Sequence, residues 1–412
     1  MPHFSLVLRE VGLLFGIQNE ARVVLDTCDF WENILWIEGL QVHSGGWVMW
    51  RLRFALLCIH IVASLITCRA QTPSVPKAVA KRVDRQSKSG HLTPVDTVVS
   101  PSELASSFDQ PFTCDKDGNL YLQSERFGVS GVRKINPKGE RTVLFQPSAN
   151  PEFRLDGVGS FALSPNGELY QFVFPHEITR YVMVFKSDGT YQSIIKMQPG
   201  FGWIPSTLSL FPSGELLASG LRYDRDKNNQ VMWPFTGIFS SDGTLLKEVT
   251  LEDDKDIRNL AASGDARVGS DTDPHANHAV EFGQSQAADD GNIYLMRWTT
   301  PTIFYAISPG GEVVRRFVVD PGDQGFTPEA MHIAGNRIAL LFFDEQTKEK
   351  QMKIVDLEGH EIATYDQAKV DGKPKNDFLG LAFACYTENP QRFTFLTAGD
   401  GDRIEIRSAE GR

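Results

Sequence analysis

From about residue 110 to the end of the chain, apolar and polar positions follow one repeating block: a short apolar run, a polar turn, and a second apolar run. Six segments carry it: "FTCDKDGNLYLQS", "FALSPNGELYQFVF", "LSLFPSGELLASGL", "SQAADDGNIYLMRW", "AMHIAGNRIALLFF" and "LAFACYTENPQRFTFLTA". Each is followed by a second pair of runs, from "VRKINPKGERTVLF" in the first copy to "DRIEIRSAEGR" in the last. In the first pairs the turn glycines are Gly118, Gly167, Gly214, Gly291 and Gly335, and the sixth copy has Asn389-Pro390 instead. In the second pairs they are Gly139, Gly189, Gly243, Gly311, Gly359 and Gly411. Tight hairpin turns need positive φ, which glycine reaches without a Cβ clash. The runs themselves hold Phe, Tyr, Val and Ile, residues that fit a pleated, half-buried surface. The predicted elements are therefore β-hairpins throughout.

Two hairpins per unit, at a period near fifty residues, predict a four-stranded propeller blade, and six copies predict six blades. The last copy stops at "SAEGR", where its fourth strand should begin. Gly90 precedes Gly139 by one such period and is followed by a strand-like run, so residues His91 to Val99 are expected to supply the missing outer strand. The expected fold is all-β, a six-bladed propeller with four antiparallel strands per blade, its ring closed by an N-terminal strand that completes the last blade. Through "DGNLY", "DGNIY" and "NGELY" the chain resembles the NHL-like and TolB-like six-bladed propellers over roughly residues 90–412. The resemblance implies the fold. It leaves function open, since such propellers include lactonases, lyases, receptor ectodomains and scaffolds.

The segment before the repeats reads differently. After Met49 come a short basic stretch, Trp50 to Arg53, then mostly apolar residues from Phe54 to Ile66, then "TCRAQ". That order is a secretory signal over residues 49–70 with cleavage expected after Ala70, and the apolar run is too short for a bilayer span of about 20 residues. Residues 1–48 then form an upstream extension, consistent with a start assigned too early; a genuine N-terminal helix pair and lipid attachment at Cys68 are the alternatives. Residues 71–89, rich in Pro, Lys and Ser, form a linker. The expected location is periplasmic or extracellular. Three of the five cysteines, Cys28, Cys58 and Cys68, leave with the leader, so Cys114 and Cys385 remain in a compartment where they can be oxidised. They stand two residues after Phe112 and Phe383 in neighbouring blades; two buried thiols are expected, because a bridge needs Cα atoms within about 7 Å and neighbouring inner strands are expected to lie farther apart, and a disulfide is the alternative.

Composition sharpens this only in places. The 412 residues carry 41 Lys+Arg against 52 Asp+Glu, a net charge of -11, with no basic block, which excludes a dedicated nucleic-acid binder. Length alone suggests two or three domains, but the regular turn spacing favours one ring, expected to be monomeric.

The candidate chemistry lies on the longer connections: Ser124 to Gly131, Leu221 to Phe235, Glu252 to Gly283, Asp320 to Pro328 and Asp366 to Phe378. All are expected on one face of the ring. Trp203, Trp233 and Trp298 map there, with Phe127, Phe153, Phe201, Tyr223 and Phe282 and with Arg126, Arg154, Arg180, Arg222 and Arg297 between them. Flat apolar faces beside fork-shaped donors suit sugars, peptides or carboxylates, although loop aromatics also form small cores of their own. Within "SDTDPHANHAVE", His275 and His278 stand beside Asp271, Asp273 and Glu281, donors suited to zinc or calcium, although Pro274 restricts how the backbone could wrap an ion and a solvated acidic loop is the other reading. Asp109, Asp156, Glu281 and Asp377 precede the innermost strands, where rotation between blades can converge them on the pore around a divalent cation; capping and turn roles are the competing reading. No Gly-rich phosphate loop, nucleophile elbow or CxxC is present. The expected function is an exported, non-catalytic recognition propeller that binds a protein, peptide or glycan through its loop-rich face. The alternative is a metal-dependent, lactonase-like hydrolase or lyase at the pore mouth, and a structural role at the cell envelope is the third reading.

Overall fold

The computed structural model describes residues 88–100, 109–126, 129–150, 155–175, 179–223, 232–251, 283–322, 325–367, 369–370, 373–374, 381–398 and 403–411. Six blades of four antiparallel strands form the fold, the sheet of blade 5 carrying one further short strand, paired parallel at its edge. Blade 1 consists of Asp109–Cys114, Leu120–Arg126, Val129–Ile135 and Arg141–Phe145. Blade 2 runs from Leu155–Leu163 to Tyr191–Lys196, blade 3 from Gly202–Leu210 to Leu245–Glu248, and blade 4 from Gln284–Ala287 to Val313–Val319. Blade 5 runs from Phe326–Ala334 to Glu361–Asp366, and blade 6 contains Ala382–Thr387, Arg392–Ala398 and Ile404–Gly411. Its fourth strand is Leu92–Val99, paired antiparallel with Ile404–Gly411. The two ends of the chain thus share one sheet, as the repeat arithmetic requires.

Packing shows that the ring is closed. The hydrophobic core consists of six clusters, one between each pair of adjacent blades. An open row of six blades would have only five such interfaces. The sixth, between blades 6 and 1, contains Leu120, Leu122, Ile135, Ala384, Leu396 and Ile406, with Val98 of the N-terminal strand against it. Because each sheet is covered on both sides, the middle strands are buried along their length, as in Ile293–Arg297. The outermost strands bury fewer positions, as in Tyr191–Lys196.

The N-terminal segment does more than fill one edge. Lys88–Gly90 pairs parallel with Ala363, Thr364 and Tyr365 at the rim of blade 5, and Leu92–Val99 then joins blade 6. Ser100 donates from its backbone N to Ile404 O at 2.8 Å, and from its Oγ to Gly139 O, in a turn of blade 1, at 2.7 Å. One strap therefore touches three consecutive blades. Gly139 is fitted to it twice over: its φ is +82°, and an added Cβ would stand 2.7 Å from Val98 Cγ1. At the inner rim of the same seam, Cys114 and Cys385 are not the two free thiols expected but are joined in a disulfide: the innermost strands of blades 6 and 1 come close enough to set their Cα atoms 5.6 Å apart, within bridging range.

Several expected positions are corrected. Gly411 is not in a hairpin turn; it ends a strand opposite Leu92, and a side chain there would strike the Tyr365 hydroxyl. The connection expected from Ser124 to Gly131 is largely ladder, since Ser124 pairs with Gly131 and Arg126 with Val129. That expected from Leu221 to Phe235 begins only after Tyr223.

The signature "DGNIY" of blade 4 proves to be a turn lock. The Asp290 carboxylate accepts from Asn292 N at 3.0 Å, Asn292 Nδ2 at 2.9 Å and the Tyr294 hydroxyl at 2.8 Å. Arg315 Nη1 in turn donates to the Tyr294 oxygen at 3.1 Å and to Leu357 O of blade 5 at 2.7 Å. In blade 1 the same work falls to Asp115, which holds Asn119 and Tyr121 and pairs with Lys134 at 3.4 Å. The tyrosine body is buried and its hydroxyl needs a partner, so the motif couples a turn to the core.

Two outcomes follow for stability. Replacing both Cys114 and Cys385 with Ser removes a cross-link between residues 271 apart, which constrains the unfolded chain by about 5–6 kcal/mol in the chain-entropy picture, so the melting temperature should fall by roughly 10 °C; an unchanged melting curve would contradict the clamp. Asp290→Ala should cost about 1–2 kcal/mol in urea unfolding, and the exposed neighbour Asp289→Ala under about 0.5 kcal/mol. Equal effects would refute the lock.

Candidate functional site

In each blade consecutive strands run antiparallel, so the turns after the first and third strands emerge on one face and the other connections on the opposite face. On the first face the described turns hold two to five residues. The second face carries the connection 224–231 within blade 3 and the connection 249–283 between blades 3 and 4. This asymmetry comes directly from hairpin chemistry: the five-residue turns are closed by paired backbone bonds, such as Gly167 N to Ser164 O at 2.9 Å, and leave no room for insertion.

At the loop-bearing end of blade 3 the backbone register sets Trp203 opposite Arg222, and Arg222 opposite Trp233. Tyr223 follows, between Gly202 and Met232. Three of the expected residues thus share one row, with Tyr223 beside it. Trp203 is buried at 3% exposure, stacked on Phe239 and edge-on to Phe172 and Phe235, so its ring faces are taken by the core between blades 2 and 3. The Arg222 guanidinium lies 3.9 Å from the centre of the Phe201 ring and 3.6 Å from Glu248 Oε2. Arg180 covers Phe174 in the same manner at 5.2 Å. Such pairs hold a cation over an aromatic face at a surface, worth about 0.5–1 kcal/mol each where exposed.

Trp298 stands elsewhere on this face, after the second strand of blade 4. It is half-buried against the cluster between blades 4 and 5. Its turn is held rigidly: Thr299 Oγ1 donates to Pro301 O at 2.7 Å, Thr302 Oγ1 to Thr299 O at 3.2 Å, and Thr300 Oγ1 crosses to Phe326 O of blade 5 at 3.0 Å. Arg297 beside it is buried. Arg154, His275, His278, Glu281 and Asp377 lie outside the described residues, as do Phe127, Phe153 and Phe282. The side chains of Trp233, Tyr223, Asp109 and Asp156 are likewise outside them, although their backbones are placed. Asp109 is the first residue, and Asp156 the second, of the innermost strands of adjacent blades, both at the loop-bearing end.

The innermost strands are tied to one another around the ring. Ser160 Oγ accepts from Leu208 N at 3.3 Å, Ser209 and Ser285 hydroxyls meet at 2.7 Å, and Gln284 and Gln286 accept from Met331 N and Ile333 N at 2.7 and 2.8 Å. The Cys114–Cys385 bridge continues this belt from blade 6 to blade 1. One group beside it escaped the sequence reading. His332, on the innermost strand of blade 5, is buried at 4% exposure with Nε2 3.3 Å from Cys114 Sγ. Its place in the repeat was the available signal: His332 stands three residues before Gly335, and Cys114 four before Gly118. Burial holds the imidazole well below its ordinary pKa, at about 4, so it is neutral in the fold.

No protein family matches the chain, and no curated protein sequence matches it significantly. Among solved structures it is similar to a protein of unknown function from Bacteroides caccae, with 12% identity and a TM-score of 0.42, covering 67% of this chain and 94% of that one. It is also similar to the PQQ-bound form of an aldose sugar dehydrogenase from Streptomyces coelicolor, with 10% identity and a TM-score of 0.40, covering 78% and 98%. A prolyl endopeptidase aligns with 12% identity and a TM-score of 0.37, over 75% of this chain and 51% of that one.

The buried imidazole makes stability depend on pH. Its folded pKa lies below the ordinary value of 6.5, so between about pH 6.5 and 4 the unfolded chain binds a proton that the fold refuses, and stability falls as pH falls through that window. Urea unfolding at pH 7.5 and 4.5 should give a difference about 2–3 kcal/mol smaller in His332→Gln than in the parent. Identical differences in the two proteins would contradict a neutral His332.

Proposed function

We propose that this chain is a recognition protein, exported to the periplasm or the cell exterior, that binds a protein, peptide or glycan as a monomer through the loop-bearing face of its propeller. The observation that carries the reading is the division of the ring into a face of two- to five-residue turns and a face that bears the extended connections. Loops on a rigid scaffold are where recognition concentrates, because the scaffold fixes their ends while their sequences vary freely. Chemistry supports the same face. Trp298 is half-buried on a locked turn, so an apolar ring is presented with little conformational entropy left to lose on binding. Arg222, stacked on Phe201, keeps a third of its side chain exposed (32%) as a planar donor for carboxylate or sugar hydroxyl groups. No helix among the described residues is long and apolar enough to cross a membrane.

A second reading rests on Asp109 and Asp156. They begin adjacent innermost strands at the pore mouth, and carboxylates there would hold calcium or zinc for a lactonase-like hydrolysis. Calorimetric titration with both ions, followed by assay on sugar lactones, discards it if both are silent.

The first reading is tested by selecting ligands from peptide-display and glycan arrays. Trp298→Ala, Arg222→Ala and replacement of 252–282 by a short Gly/Ser linker should each weaken the selected ligand about tenfold or more, and Lys138→Ala and Asp242→Ala on the opposite face should not. Arrays that yield no ligand, or a ligand lost only with the opposite-face variants, would overturn it.

A further inference from the structure

At the opposite end of the innermost strands, the ring closure brings three metal-binding side chains to one point. Cys114, His332 and Cys385 come from blades 1, 5 and 6, and each lies in the last three residues of its innermost strand, next to the short-turn face. One donor atom from each lies within 4.8 Å of the others. Cys385 and His332 are buried, and Cys114 keeps partial exposure.

The imidazole is poorly served in the oxidised state. His332 Nδ1 is buried with no hydrogen-bond partner among the described residues, and Nε2 faces Cys114 Sγ at 3.3 Å. A disulfide sulfur has no proton to donate and accepts weakly. Reduction gives Cys114 a thiol or thiolate that can bond Nε2, while Nδ1 keeps no partner among the described residues.

The geometry points to a redox-gated metal site: with the bridge reduced, Cys114, Cys385 and His332 form a Cys2His donor set for a thiophilic cation, zinc(II), with the fourth position left to water or another ligand. In a tetrahedral zinc site, Zn–S bonds of about 2.3 Å and Zn–N bonds of about 2.0–2.1 Å place N and S about 3.6 Å apart and the two sulfurs about 3.8 Å apart. The Nε2 to Sγ distance is already within about 0.3 Å of that requirement. The sulfurs must separate, which side-chain rotation allows with Cα atoms 5.6 Å apart.

The chemistry balances with a dithiol as reductant. Its thiolate attacks the partly exposed Cys114 sulfur, the S–S bond breaks, and Cys385 leaves as thiolate and takes a proton. The second thiol of the reductant then closes its own disulfide and releases Cys114, so two electrons and two protons pass to the protein. Zinc displaces both thiol protons to solvent and accepts the Nε2 lone pair, which sets the remaining proton on Nδ1. This site is independent of whatever the loop-bearing face binds.

The test uses the full chain with Cys28, Cys58 and Cys68 changed to Ser. It is reduced with a dithiol, freed of reductant without oxygen, and titrated with zinc against a chromophoric chelator. Reduced protein should take up one equivalent and oxidised protein none. His332→Gln should weaken uptake at least roughly tenfold, since one of three protein ligands is lost, and Cys385→Ser should abolish it. X-ray absorption of the loaded parent should report two sulfurs and at least one nitrogen, a readout that needs no variant. If reduction alone opens the ring, zinc should restore its circular dichroism. Absence of uptake by reduced protein, uptake unchanged in His332→Gln, a four-sulfur shell, or failure of zinc to restore an opened ring would each overturn the proposal.

Discussion

Everything in this molecule depends on one seam, that between blades 6 and 1. A ring of sheets has no central core; its stability lies in six equivalent interfaces, and five of them are made by consecutive stretches of chain. The sixth joins segments at opposite ends and must be closed against the entropy of a loop that takes in nearly the whole ring. Two devices close it at two radii. The Leu92–Val99 strand completes the sheet at the rim, and the Cys114–Cys385 bridge fastens the innermost strands. Between them, Val98 packs into the apolar interface that both devices hold together.

The strap also explains why the closure reaches beyond one blade. By pairing first with blade 5, then with blade 6, and then bonding to the Gly139 turn of blade 1, it turns three neighbouring sheets into one hydrogen-bonded unit. A ring fixed in this way tolerates long insertions on one face, since each loop begins and ends on strands whose positions are set by two neighbours. The serine and glutamine ties between innermost strands serve the same purpose without covalent bonds. They also leave the bridge as the one chemically reversible link among the described ties of that belt.

Much of the fold was legible because hairpin turns are local chemistry. Gly118, Gly139, Gly167 and their equivalents announce positive φ within a few residues, and the structure has them there. Gly411 looked the same in sequence, but its need is tertiary, set by the Tyr365 hydroxyl on a neighbouring blade. The strand ends near Ser124 and Leu221 were underestimated because polar residues in a ladder resemble a loop. The candidate site was less legible. Trp203 and Trp298 read alike along the chain, yet one is enclosed by Phe172, Phe235 and Phe239 and the other is half-buried on a pinned turn. Nothing local separates them, because burial is decided by which blade arrives opposite. For His332 the repeat offered only its near-equivalence to Cys114; the contact itself could not be read locally, since its partner comes from two blades further round the ring.

Native-state hydrogen exchange of the seam tests the closed ring most directly. Amides of the Leu92–Val99 to Ile404–Gly411 ladder should exchange only through the same global opening as those of Ile293–Arg297 in blade 4, with equal free energies and equal denaturant dependence. A ladder that exchanges by a separate, cheaper opening while the other five blades stay protected would mean that the ring is held shut elsewhere.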